Sequence, residues 1–460
     1  MEAKKLLTLA LTGLLAGGCL MVPALAEDAD GQSSGNPATY TIPARVKRIE
    51  DYAFAGDTTL ERVKIPDGVT EIGDYAFSGC TNLQEIELPD GLTKIGNHAF
   101  DGCTALVRLG DMNQLESIGE YAFRGCETLE SIGDMPKLQT IGNYAFAEQT
   151  VTDEDSGTST TVSCKSLKTV GNLDSVTRIG SEAFSGCREL ESIGALPNVT
   201  RIAFGAFQNC EKLKKVEGLG KLTAINRNTF TGCTSLKSIG NLLNVTSIGE
   251  QAFAGCASLE SIGNLQNVKS IGSSAFGSYV CYDENHMYQH VYCTSLKSIG
   301  DMPKLETIGA SAFECCSSLE SVGDLSSVTS IGESTFIGCS SLESVGDLSS
   351  VTSIGGWAFS GCSSLTSVGE LSSVTSIGDD AFSGCNMLAS VGDLSNVTSI
   401  GEWAFSDCSA LASIGDLRSV TEIGNYAFYE CPSLTLRVLP NSYAENYAKS
   451  HSIKYTYIED

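Results

Sequence analysis

The chain predicts a repeat solenoid, mainly β, of about sixteen stacked turns of 23 residues with short parallel strands, closed by a small C-terminal helix and strand. Three observations carry this expectation. An Ala-Phe pair, or Thr-Phe at Phe230 and Phe336, recurs as one periodic series through sixteen of the 17 phenylalanines, Phe54 to Phe428 with Phe204 outside it, and all but two of the intervals are 23 residues. The exceptions, Phe146 to Phe184 and Phe276 to Phe313, are one period plus an insertion. Second, 48 glycines and only 18% charged residues among 460 suit corners that recur at fixed positions better than one compact core. Third, the apolar positions of a single turn fit no isolated element. In the turn from Cys256 they are Leu259, Ile262, Leu265, Val268, Ile271, Ala275 and Phe276, a spacing that is neither helical nor strictly alternating.

Stacking resolves that spacing. When each turn lies on the one before, Leu259 meets Leu236, Ile262 meets Ile239 and Phe276 meets Phe253, so neighbours share a ladder-like core. The segments Leu259 to Gly263 and Val268 to Gly272 are expected to be short strands with glycines at the corners. Residues 39–438 form the predicted solenoid. Residues 439–460 form a cap, with a helix begun by Ser442 and a strand from Ile453 to Ile458 that shields the open end. The repeat Ser317 to Gly332 recurs unchanged at Ser340 to Gly355, as expected where each turn adds area and none adds chemistry.

At these positions the chain resembles the BspA-type (Treponema pallidum-type) leucine-rich repeat family of secreted and surface bacterial proteins. The early turns carry the pattern most closely, in Leu83-Gln84-Glu85-Ile86-Glu87-Leu88-Pro89, then Leu92-Thr93-Lys94-Ile95-Gly96-Asn97-His98-Ala99-Phe100, then Gly102-Cys103. The resemblance covers about residues 39 to 460. From the third turn most turns move the leucine by one, as in Ile262-Gly263-Asn264-Leu265, which predicts altered local strand geometry. The resemblance implies adhesion to an extracellular protein or glycan, of host matrix or of other microbes.

The formal charge of −26 argues against nucleic acid or an anionic lipid surface as partner. Lys4 and Lys5, the apolar run Leu6 to Val22 and Ala24-Leu25-Ala26 read as an export signal over 1–26, cleaved after Ala26, with no retained membrane span. A lipoprotein box ending at Cys19 is the rival reading. Residues 27–38 are polar and read as a disordered linker. The expected localisation is secreted or cell surface.

Cysteine marks one rung of the repeat, from Cys80 to Cys431, in fifteen of the 18 cases. A position shared by every turn is a core position and free cysteine packs as a small apolar group, so buried thiols are expected. Disulfides between adjacent rungs are the alternative, since the spacing of the layers permits them.

Two insertions fall between the phenylalanine and the rung cysteine, near 147–163 and 277–292, and each reads as a hairpin. They leave turns five and ten, so they are expected to project from one edge, about 24 Å apart at 4.8 Å per turn. The second is rich in aromatics, making Tyr279, Tyr282, Tyr288 and Tyr292 candidate binding residues. Cys281, Asp283, His286 and His290 have the donor types of a transition-metal site, but their spacing matches no known ligand motif and a decorated hairpin is the plainer reading.

A further candidate is the position two before each phenylalanine. Tyr52, Tyr75, His98, Tyr121 and Tyr144 occupy it early, and Trp357, Trp403 and Tyr426 late, while the middle turns carry mainly polar or tiny residues. The position is therefore expected to face solvent, and Tyr52, Tyr75, Tyr121, Tyr144, Trp357, Trp403 and Tyr426 form a candidate aromatic binding stripe. Simple packing between neighbouring strands is the alternative. Three Asn-Val-Thr sequons, at Asn198, Asn244 and Asn396, read as repeat consensus. No phosphate-cradling loop, nucleophile elbow or zinc-protease histidine pair is present in the sequence, so no enzyme activity and no cofactor are expected. A structural spacer, or a metal-binding module in the second insertion, are the alternatives to an adhesive role.

Overall fold

The computed structural model describes residues 39–152, 159–282 and 287–458. The expected export signal, Cys19, the linker, Asp283 and His286 lie outside the described residues. The chain winds as a β-solenoid of about 17 turns when the partial coils at its ends are counted. Each turn has three sides. On the first side lies a parallel ladder that begins with seven strands from Thr39–Thr41 to Ser192–Ile193. A second parallel ladder carries the Ile-Gly corners, pairing Ile72 with Ile95, Ile118 with Ile141 and Ile271 with Ile308. On the third side the Ala-Phe segments bond from turn to turn: the N–H groups of Tyr75 and Phe77 donate to the carbonyls of Asn97 and Ala99, each at 2.8 Å.

The apolar rungs meet inside. Sixteen phenylalanines form one continuous column, each stacked on the next with centroids between 5.0 Å (Phe54 to Phe77) and 5.6 Å (Phe405 to Phe428). Phe253 and Phe276 are 5.2 Å apart. Tyr40 covers one end of the column edge-on at 5.7 Å and Tyr447 of the cap covers the other at 6.1 Å. Such pairs add about 0.5–1.5 kcal/mol each beyond the burial of the rings, so the column supplies cohesion along the axis that no single turn has alone.

The rung cysteines are free, and all but the last are buried. Each thiol donates to the carbonyl of the phenylalanine one turn back, as from Cys103 to Phe77 at 3.1 Å and from Cys256 to Phe230 at 3.2 Å. The same Phe77 carbonyl accepts the N–H of Cys80 at 3.1 Å, so the thiol uses the second lone pair of an already bonded oxygen. This polar reason to place cysteine at the rung accompanies the expected packing role.

The moved leucine does change the strands. The early turns Arg62–Lys64 and Glu85–Glu87 have three-residue strands on the first side, whereas from Arg108–Leu109 the strands shorten to two. From Ser238 to Ser367 the later contacts on that side are isolated bridges, so the strand expected over Leu259 to Gly263 is reduced to one bridging residue, Ser261. In these turns the residue after the glycine makes a local turn that competes with strand continuation: the Ser326 N–H donates to Asp324 Oδ1 at 2.8 Å and the Ser349 N–H to Asp347 Oδ1 at 2.8 Å.

The insertions are antiparallel hairpins, Gln149–Thr152 with Ser159–Val162 and Tyr279–Tyr282 with Tyr288–Val291. At the C-terminus the helix Tyr443–Ser450 starts at Ser442, whose hydroxyl accepts the Glu445 N–H at 3.1 Å, and the strand Lys454–Tyr457 extends the first ladder. Glu445 ties the cap together, accepting from the Asn441 N–H and the Tyr457 hydroxyl, each at 2.7 Å, and pairing with Lys449 at 2.8 Å. These partners hold its carboxyl down at about 2, the Lys449 bond contributing most.

Candidate binding surface

The position two before each phenylalanine has one backbone geometry throughout. Its φ lies between 50° and 59° in all sixteen turns, from Tyr52 to Tyr426. That left-handed conformation turns the chain into the Ala-Phe segment and aims the side chain outward, but it suits glycine or asparagine better than a bulky ring, at a penalty of roughly 1–2 kcal/mol. Most of the aromatic occupants offset it by stacking. Tyr52, Tyr75, His98, Tyr121 and Tyr144 form one pile with centroids 4.8, 4.4, 4.7 and 4.8 Å apart. Trp403 and Tyr426 stack at 4.5 Å, and Tyr429 meets Trp403 edge-on at 5.6 Å.

The stripe is therefore an outer edge and a packed column together. Tyr52 is 61% exposed, Tyr426 54% and Trp357 42%, while Tyr75, Tyr121, Tyr144 and Trp403 are half-buried. A polar network that the sequence reading missed flanks the pile. Asp101 accepts two bonds from the Arg124 guanidinium, at 3.0 and 2.6 Å, and lies 2.9 Å from His98 Nδ1. Arg124 in turn sits 4.5 Å over the Tyr121 ring. The signal was present as charged residues three after the stripe position in adjacent turns, which the turn spacing brings together. At the end of the pile Tyr144 bonds to Glu182; burial, then the carboxylate, push its hydroxyl above the ordinary tyrosine range.

The second hairpin does not simply project. Tyr279 is folded back along the axis over the glycine rung, where a Cβ on Gly255 would lie 2.6 Å from the Tyr279 Cβ and one on Gly232 would lie 3.2 Å from its ring. It reaches a hydrogen bond with the Asn209 side chain, and its burial raises the hydroxyl pKa. Glycines leave a shelf there that a ring can occupy, a use of the rung invisible in the spacing alone. Tyr288 is exposed at 67% and Tyr292 is half-buried, 6.0 Å from the His290 ring. Tyr282 is described through its backbone alone, which pairs with Tyr288.

The candidate metal ligands are not brought together where they are described. Cys281 pairs across the hairpin with Gln289 and Val280 with His290, so the alternation of a strand puts Cys281 and His290 on opposite faces. Among the described residues no group of three His, Cys, Asp or Glu side chains could hold a metal ion. No described helix is long and apolar enough to cross a membrane.

A family model described as the BspA type leucine rich repeat region, in 6 copies, matches residues 33–152, 157–281, 286–389 and 343–456. Among solved structures, a leucine-rich repeat protein from Bacteroides ovatus is 27% identical, with 93% of this chain and 94% of that chain covered and a TM-score of 0.59. A leucine rich cell surface protein from Faecalibacterium prausnitzii is 26% identical over 82% of this chain and 87% of that chain, TM-score 0.38. The T. pallidum leucine rich repeat protein is 31% identical over 43% of this chain and 77% of that chain, TM-score 0.31. No curated protein matches the chain.

Proposed function

The chain belongs to the BspA-type leucine-rich repeat family, and from that membership we propose that it is an exported adhesion module that holds an extracellular protein or glycan through many weak contacts along its stripe. The observation that carries the reading is the stripe itself. Sixteen turns share one outward-facing backbone position, all but the turn of Gly205 present a side chain from it, and both tryptophans of the chain stand among them. Tryptophan and tyrosine dominate binding energy at protein surfaces, because a rigid ring buries much area while losing little conformational freedom. A site repeated in every turn suits area and avidity better than catalysis, so the protein is read as a binding scaffold and not an enzyme.

Export by the segment 1–26, with cleavage after Ala26, and display at the cell surface belong to the same proposal. The test is retention on an array of matrix proteins and glycans by the intact chain, by a chain lacking residues 277–291, and by a chain with Tyr426 and Trp403 changed to serine. Retention of the intact chain, weakened by the stripe substitutions, is expected. Retention of no component would favour a structural spacer, and equal loss on removing the hairpin alone would move the site to the second insertion.

A further inference from the structure

A ring stacked between two others offers solvent only its edge, so Tyr75, His98 and Tyr121 in the early pile cannot clasp a ligand between ring faces. The late turns differ. The stripe there runs Ser334, Trp357, Asp380, Trp403, Tyr426. Tyr426 covers one face of Trp403, and among the described residues Trp357 has no ring partner.

We propose that Trp357 and Trp403 are the walls of a slot floored by Asp380, which receives an arginine side chain from a basic segment of a partner protein. The inference rests on reading the stripe as the binding edge and names the chemistry of its partner. Main-chain bonds fix the layers: the Trp357 N–H donates to the Asp379 carbonyl and the Asp380 N–H to the Glu402 carbonyl, each at 2.8 Å. Trp357, Asp380 and Trp403 thus occupy three successive turns. Two turn spacings separate the indoles by about 9–10 Å, which admits one planar group in contact with both faces. The aspartate between them is too short to fill that space.

Charge selects the occupant. Between Lys304 and Arg418 the sequence holds no lysine, arginine or histidine, but fourteen carboxylates. Burial, then the neighbouring carboxylates of Asp379 and Glu402, push the Asp380 carboxyl above the usual carboxylate range. A guanidinium satisfies the slot on all sides, since it is planar, stacks on aromatic faces and pairs with a carboxylate. The molecule already contains that combination once: Arg124 lies 4.5 Å over Tyr121 while bonded to Asp101. In the late turns the ring and the carboxylate are present and the arginine is not.

The chain's 2 tryptophans are the slot walls, so indole emission reports on this place alone. The full chain is titrated with acetyl-Gly-Arg-Gly-amide, its lysine counterpart and maltotriose, following that emission. A saturable change with the arginine peptide is expected, weaker with lysine and absent with the sugar. Trp357→Ser and Asp380→Ser install the residue that Ser334 already supplies at the same position of a nearby turn, and each should weaken binding by about tenfold or more. Asp380→Asn, a change of charge alone, should do the same, and Val107→Ser, at an exposed position off the stripe and many turns away, should leave affinity unchanged. No saturable change up to about 10 mM peptide, undiminished affinity in Asp380→Asn, or a stronger response to maltotriose would each overturn the slot. A chain retained on the array yet silent to the peptide sinks the slot alone. One that answers the peptide but is retained by no extracellular component sinks the adhesive reading alone.

Discussion

At the scale of the residue, the rung cysteine shows how a repeat chooses a side chain for two duties at once. The position must be small and apolar enough to close the core, and its thiol must reach the carbonyl one turn back, 3.0 Å away at Cys164 and 3.4 Å at Cys187. Burial pushes these thiols up, to about 12 at Cys164 and Cys293. A neutral, enclosed thiol is a poor nucleophile. Native protein treated with iodoacetamide near about pH 8 should therefore be alkylated at Cys281 and Cys315, which are half-buried, with the buried rung cysteines from Cys80 to Cys408 more than about tenfold slower. Peptide mapping reads the sites; comparable labelling at Cys256 would mean that the rung opens to solvent. The fifteen-fold recurrence of cysteine made its burial legible in the sequence. The bond to phenylalanine was not, because its partner lies 26 residues earlier and is a main-chain oxygen.

Among elements, the hairpins and the shortened strands divide what pattern can tell from what only packing decides. That Thr150 to Thr152 pairs back on its own insertion follows from local turn residues, and so does the pairing of Tyr279 with Val291. Where a hairpin lies depends on what it finds beneath it. Tyr279 rests on Gly255, whose φ of 71° and lack of a side chain both matter there. Gly255→Ala should cost about 1–3 kcal/mol locally, from strain and overpacking, and lift the hairpin from its shelf. Hydrogen exchange at Tyr279–Tyr282 and Tyr288–Val291 should speed up in that variant while the phenylalanine column keeps its protection; unchanged exchange would show that the ring is not what holds the hairpin down. In the strands, the displaced leucine was readable as a departure. Its consequence, a single bridge at Ser261, came from the glycine and the adjoining Asn264, whose side chain accepts the Gln266 N–H at 2.9 Å.

For the whole molecule, cohesion is a sum over interfaces between like turns. Deleting residues 314–336 joins Phe313 to Ile337-Gly338-Cys339 and restores the phase of the repeat. That chain should fold one turn shorter, with the same circular dichroism per residue and a smaller maximum dimension in X-ray scattering. Loss of folded structure would show that the turns are not interchangeable. The rung of thiols also sets an alkaline limit. An acid whose folded pKa is raised contributes stability that is complete below its unfolded value, here 9.0, and that is lost as pH rises towards about 12. Urea midpoints should fall steadily from pH 9.0 upward, and less steeply when Cys233, Cys256 and Cys293 are alanine. The solenoid and the stripe were legible because each repeats in every turn. The slot at Asp380 was not, because its meaning depends on which rings lack neighbours and on a stretch without cations, neither of which is periodic.

The phenylalanine column passes both insertions without a break, with Phe146 and Phe184 at 5.0 Å and Phe276 and Phe313 at 5.2 Å. The link between the aromatic and the rung thiol thus acts as a port in the scaffold: new peptide can enter there while the layers on either side close as before. Every turn carries the same port, so novel loops grafted at other layers would extend the molecule's repertoire without redesign of its interior.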